Sequence, residues 1–181
     1  MKRIFRRESL TFSLFLVLAL AGCKHGIHSR TGERSPASST TPAGISSSAD
    51  VVGVRAADVS IPVGGNADAT VTLSISPGYH VNANPATFSY LIPTAVDPGK
   101  AEGIIAGKPI YPVAQKEKFQ FADEPLAVYE SEVQIRLPLR VEVNAGKGAR
   151  SLLVDVRVQA CDSEKCYAPD TLKTMIVVDV K

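Results

Sequence analysis

Tryptophan is absent from the 181 residues, and aromatic residues of all kinds make up only 6%. An antibody-type domain, whose core is built around a buried Trp, is therefore excluded. Cysteine is scarce as well: three residues cannot staple a disulfide-dense scaffold. No glycine-rich phosphate loop and no internal repeat is present. No apolar run reaches the ~20 residues a spanning helix needs. A strong excess of one charge is also lacking, with 20 Lys+Arg against 18 Asp+Glu. Four of the basic residues, Lys2, Arg3, Arg6 and Arg7, lie in the first ten positions beside Glu8. Removing that segment leaves 16 basic against 17 acidic residues. A basic nucleic-acid binder is excluded on this balance. The whole chain is 45% apolar and 21% charged, the composition of a chain that folds.

The N-terminus reads as an export address. The basic start precedes Leu10 to Leu20, an apolar run interrupted by Thr11 and Ser13. It is about half the length of a membrane span and fits a secretion signal. Arg6-Arg7 is compatible with twin-arginine export, but its flanks, Phe5 and Glu8, favour general secretion. The run ends in Leu20-Ala21-Gly22-Cys23, which resembles the lipobox of bacterial lipoproteins. That resemblance implies cleavage after residue 22, lipid on Cys23, and anchorage facing the periplasm. Lys24 at the next position implies sorting to the outer membrane. Acyl chains supply the affinity, at ~0.8 kcal/mol per buried CH₂.

Residues 24–50 are rich in Ser, Thr, Pro, Ala and Gly without apolar periodicity. The reading is a flexible tether, reaching roughly 30 Å at ~5–6 Å times the square root of its length. His25 and His28 lie in it as solvated side chains.

From residue 51 to 181 the pattern is that of strands. Val71, Leu73 and Ile75 alternate within 70–76. Val133, Ile135, Leu137, Leu139, Val141 and Val143 occupy every second position of 131–144, which marks half-buried β-structure. Pro138 in that run predicts an edge strand, a bulge or a break. Leu152, Val154, Val156, Val158 and Ala160 alternate next, and Ile176, Val178 and Val180 close the chain. Residues 51–63 and 88–96 are weaker strand candidates. Short strands separated by Gly/Pro turns predict an all-β antiparallel sandwich.

Chemistry concentrates at Cys161 and Cys166, separated by Asp162-Ser163-Glu164-Lys165. By the alternation of the preceding strand, Cys161 belongs to the outward face of Asp155, Arg157 and Gln159. A hairpin can bring the two Cα atoms into the ~4.4–6.8 Å range of a disulfide. Three readings stand open on the residues alone. A structural staple would contribute roughly 2 kcal/mol for so short a loop. A metal site, copper(I) on grounds of softness, would have to recruit His80 or Met175. A redox-active dithiol would sit in a loop that partners can reach.

The run Gln159-Ala160-Cys161 … Cys166-Tyr167-Ala168-Pro169-Asp170-Thr171 resembles the active-site strand and loop of the N-terminal periplasmic domain of the thiol:disulfide interchange protein DsbD. Pro77-Gly78-Tyr79-His80-Val81-Asn82-Ala83-Asn84-Pro85 resembles the Gly-aromatic segment of that family, and Phe121-Ala122-Asp123-Glu124-Pro125-Leu126-Ala127-Val128-Tyr129 its shielding segment, in the same order. The chain departs from the family in three respects. Its inter-cysteine loop is one residue shorter, Ala168 stands where the first Pro of the exit is expected, and Pro125-Leu126 replace an aromatic after Asp123-Glu124.

The resemblance implies an immunoglobulin-like sandwich over 51–181 that exchanges disulfides through Cys161 and Cys166. His80, Asn82, Asp123, Glu124, Pro125, Leu126 and Tyr167 are the implied surroundings, with 123–129 as a lid. The second cysteine, Cys166, is implied to attack the partner, and Lys165 beside it tilts its thiol toward the thiolate. The implied partners are thioredoxin-fold periplasmic proteins and a DsbD/CcdA-like membrane electron carrier. No cofactor, metal or nucleic acid is implied. The rival reading from another class is an Ig-like binding module with a structural disulfide or copper(I) site. The expected organisation is a signal peptide over 1–22, lipidated Cys23 and tether over 23–50, and one stand-alone domain over 51–181.

Overall fold

The computed structural model describes residues 44–181. Among them there are twelve strands, one three-residue 3₁₀ turn at Ser48–Asp50, and no helix long and apolar enough to cross a membrane. Residues 1–43, with the expected leader, Cys23, His25 and His28, lie outside the described residues.

Two four-stranded sheets form the sandwich. One runs β1 (Val52–Ala56), β3 (Asn66–Ile75), β9 (Glu132–Val141), β6 (Ile104–Ala106). The other runs β2 (Val59–Ile61), β12 (Asp170–Val180), β10 (Gly148–Val158), β5 (Ala95–Pro98). Pairing is antiparallel except between β2 and β12, which run parallel. The alternating residues meet between the sheets: Val71 and Leu73, Ile135, Leu137 and Leu139, Leu152 to Val158 at every second position, and Ile176 and Val178 are all buried. Each such side chain contributes roughly 1.5–3 kcal/mol by leaving water. Period-2 patterning thus selects the face and the register together.

Three expectations are corrected or narrowed. Val143 is 77% exposed because β9 ends at Val141. Pro138 neither breaks β9 nor places it at an edge, since β9 pairs with β3 on one side and β6 on the other; of the three expected accommodations the bulge is found, on the facing chain, where Ala106 to Ile110 takes four steps against three from Leu139 to Arg136. Its missing donor faces the β6 side, where the neighbouring chain bends away between Ala106 and Ile110; its carbonyl accepts the Gly107 N–H at 2.7 Å. No bond to β3 is lost. Of residues 88–96, only Ala95 and Val96 enter a strand, β5.

A third sheet sits at one end: β11 (Ala160–Cys161), β4 (His80–Asn82), β8 (Leu126–Tyr129), β7 (Gln115–Glu117). The chain leaves the sandwich at Gln159 and joins this short sheet within one residue. The fold also starts earlier than residue 51. Ser48 is fully buried, and its hydroxyl accepts the Ala160 N–H at 2.8 Å and donates to the Ala168 carbonyl at 2.7 Å. Residues 46–50, read as tether, are part of the domain.

Candidate functional site: a disulfide at the end of the short sheet

Cys161 and Cys166 are joined by a disulfide, with Cα atoms 3.9 Å apart. Backbone bonds close the same hairpin: the Tyr167 N–H donates to the Ala160 carbonyl at 2.8 Å, and the Asp162 N–H to the Lys165 carbonyl at 2.9 Å. Asp162 shapes the turn. Its carboxylate accepts from the Glu164 and Lys165 N–H groups, each at 2.8 Å, and from the Tyr167 hydroxyl at 2.6 Å. These three donors, the Tyr167 hydroxyl first, hold its carboxyl down at about 2. The same bond pushes the Tyr167 phenol well above its ordinary range. Lys165 lies 5.2 Å from the centre of the Tyr167 ring, a cation–π contact beside Cys166.

The two sulfurs have different surroundings. Cys161 is fully buried, which overturns its expected outward position; Cys166 is half-buried. The parity of β10 fails here because the chain changes sheets at Gln159, so Ala160 and Cys161 are both covered. Cys161 is the register partner of His80 on β4. In an antiparallel pair such neighbours stand on one face, with Cβ atoms roughly 4.5–5.5 Å apart.

His80 is delivered by a turn legible in the sequence. Pro77 and Gly78 occupy its centre, Gly78 has φ of 84°, and the Tyr79 N–H returns to the Ser76 carbonyl at 3.1 Å. That positive φ is the reason for glycine. His80 is 2% exposed, and burial lowers its imidazole to about 4, against a weaker opposing pull from Asp162. Its Nε2 has no hydrogen-bond partner. Asn82, also buried, donates to the Ile92 carbonyl at 3.1 Å and the Gln159 side chain at 3.4 Å, and its Oδ1 is left unpaired. Asn82 thus braces the point at which the chain changes sheets.

The cover over His80 differs from the expected lid. Leu126 to Tyr129 form β8, an interior strand of the short sheet, and Leu126 is 1% exposed. A strand paired on both sides is no flap. Asp123, Glu124 and Pro125 are exposed in the bend that leads into it. The aromatic missing after Glu124 is supplied before Asp123. Phe119 stacks on His80 with ring centres 4.0 Å apart, and Phe121 stacks on Phe119 at 5.4 Å. Lys118 closes this loop by donating to the carbonyls of Ala122 and Asp123. Tyr79, His80, Phe119, Glu130 and Ser163 line a cleft of about 160 Å³ next to the pair.

A copper(I) site drawing on Met175 does not fit. Met175 pairs with Leu153 in mid-β10, five residues and roughly 16 Å at ~3.3 Å per residue from the end of that strand at Val158, beyond which Cys161 lies in the short sheet. Among the described residues no group of three or more His, Cys, Asp or Glu gathers for a metal.

Residues 48–177 match the family described as thiol:disulfide interchange protein DsbD, N-terminal. The chain belongs to the DsbD N-terminal domain family. The DsbD N-terminal domain of Neisseria meningitidis in its reduced form is similar at 18% identity, covering 61% of this chain and 77% of that one with a TM-score of 0.43. The N-terminal periplasmic domain of ScsB from Proteus mirabilis is 12% identical over 72% of this chain and 47% of its own, with a TM-score of 0.45. A type I cohesin of Pseudobacteroides cellulosolvens is 9% identical over 72% and 94%, with a TM-score of 0.44. No curated protein matches. The DsbD family assignment agrees with the all-β, immunoglobulin-like sandwich and with a cysteine pair bonded at one end of it. Ser48 and Phe119 escaped the sequence reading. Ser48 lies in the Ser- and Ala-rich stretch that reads as tether and Phe119 follows the charged run Lys116-Glu117-Lys118, although the Ser47–Asp50 spacing, where the Ser47 N–H meets the Asp50 carboxylate at 2.9 Å, is a usable local signal.

Proposed function

We propose that the domain carries out thiol:disulfide interchange, with Cys161 and Cys166 relaying electrons to thioredoxin-fold periplasmic proteins. The observation that carries this reading is the asymmetric disulfide: one cysteine buried, the other half-buried, in a loop whose hairpin is already closed by backbone bonds. A staple adds little to such a loop. The reduced pair would react through Cys166, the less buried cysteine of the two. Its thiolate attacks one sulfur of the partner's disulfide, and the partner's other sulfur leaves as thiolate. Cys161, deprotonated, then attacks the Cys166 sulfur and expels the second partner thiolate. Two electrons pass to the partner, whose thiolates take up two protons, and the domain is left oxidised. A dithiol on a DsbD/CcdA-like membrane carrier would reduce it again.

The test is a trap. Cys161→Ser, incubated reduced with an oxidised thioredoxin-fold protein, is expected to accumulate a covalent adduct on non-reducing electrophoresis, and Cys166→Ser is not. Adducts from Cys166→Ser alone would reverse the roles, and adducts from neither would refute the relay.

The lipobox-like Leu20-Ala21-Gly22-Cys23 supports a lipid anchor in the cell envelope, facing the periplasm and sorted to the outer membrane by Lys24. Mass spectrometry of the native N-terminus is expected to find acylated Cys23. An unmodified N-terminus would refute the anchor.

A further inference from the structure

A buried acceptor without a donor is costly, because water cannot replace the missing bond. His80 Nε2 has no partner, in a side chain 2% exposed, and it is such an acceptor in the tautomer whose proton sits on Nδ1. Several of the groups around it carry no donor. Phe119, stacked on the ring, has no polar atom on its side chain. Asp162 is a carboxylate already engaged by three donors. Glu130, which lines the same cleft, is a carboxylate and offers no donor, and the hydroxyls of Tyr79 and Ser163 there do not reach Nε2. Its register partner on β11 is Cys161, whose sulfur carries no hydrogen while it is bonded to Cys166.

Reduction changes that one partner. The disulfide takes up two electrons and two protons and becomes two thiols, and a thiol is a donor. We propose that His80 Nε2 accepts a hydrogen bond from the Cys161 thiol in the reduced protein, so that this imidazole tunes the cysteine pair toward reduction. The orphan acceptor burdens the oxidised state alone. The inference rests on the relay reading and deepens it, because it names the group that sets the relay's redox poise. The ring stays neutral, and so able to accept, because burial disfavours its charged form.

The experiment is equilibration of wild type and His80→Phe with reduced and oxidised glutathione, in which two glutathione thiols reduce the protein disulfide and leave as glutathione disulfide. Phenylalanine keeps the stack on Phe119 and deletes the acceptor. The equilibrium constant for oxidation is expected to rise about tenfold in His80→Phe, a potential more negative by roughly 30 mV for a two-electron couple. His80→Gln restores a carbonyl acceptor and is expected to stay within about threefold of wild type. In nitrogen NMR, the His80 Nε2 resonance is expected to move when wild type is reduced, and in Cys161→Ala to remain where it lies in the oxidised protein. This second measurement decides the matter should His80→Phe fail to fold. A constant for His80→Phe within about twofold of wild type, or an Nε2 resonance unmoved by reduction, would overturn the inference. The relay reading fails separately, through a wild-type potential below roughly −300 mV, since the His80 comparison rests on differences between proteins.

Discussion

Acid is expected to destabilise the oxidised domain through His80. The imidazole titrates near 6.5 in an unfolded chain and at about 4 in the fold, where burial disfavours its charged form. The folded value is depressed, so between these limits the unfolded chain binds the extra proton and stability falls as pH falls. The stabilisation is complete above pH 6.5 and is lost on the way down to about pH 4. At ~1.36 kcal/mol per pH unit the loss is roughly 3 kcal/mol. Against a typical total of about 5–15 kcal/mol that is a large share. Asp162, held at about 2, stays ionised across the window and adds little of its own. Urea denaturation of oxidised wild type and His80→Phe at pH 7 and pH 4 separates His80 from the remaining carboxylates, which both proteins share. Wild type is expected to lose roughly 3 kcal/mol more than the variant. Parallel losses, agreeing within about 1 kcal/mol, would refute the argument that His80 is buried as a neutral base.

Phe119→Ala is expected to speed alkylation of the reduced cysteines by iodoacetamide several-fold, because the ring covers His80 beside Cys161. Pro125→Ala is expected to leave that rate unchanged; the opposite pattern would restore the 123–129 lid. Ser48→Ala is expected to lower stability by about 1–3 kcal/mol in urea unfolding, because the Ala160 N–H loses its buried acceptor. A change below about 0.5 kcal/mol would show that the Ser48 clasp on the cysteine hairpin is dispensable.

The class of fold and the location of the chemistry were legible in the residues. Period-2 runs in β9, β10 and β12 determine which side chains enter the core, because a strand slipped by one residue would expose the whole set. The Pro77-Gly78 turn and the Cys161/Cys166 spacing are equally local: a positive φ and a short polar loop are written where they act. The tertiary structure decided what depends on a neighbouring chain. Pro138 is tolerated inside a sheet because of where β6 ends, which no property of β9 announces. Cys161 is buried because the chain passes from one sheet to another at Gln159, and parity extrapolated along one strand cannot anticipate a second sheet. Phe119 reaches His80 from about forty positions away, and Ser48 reaches Ala160 from more than a hundred. Alternation reports the period of a single strand, whereas the covering of a disulfide depends on side chains brought together only when the sheets close.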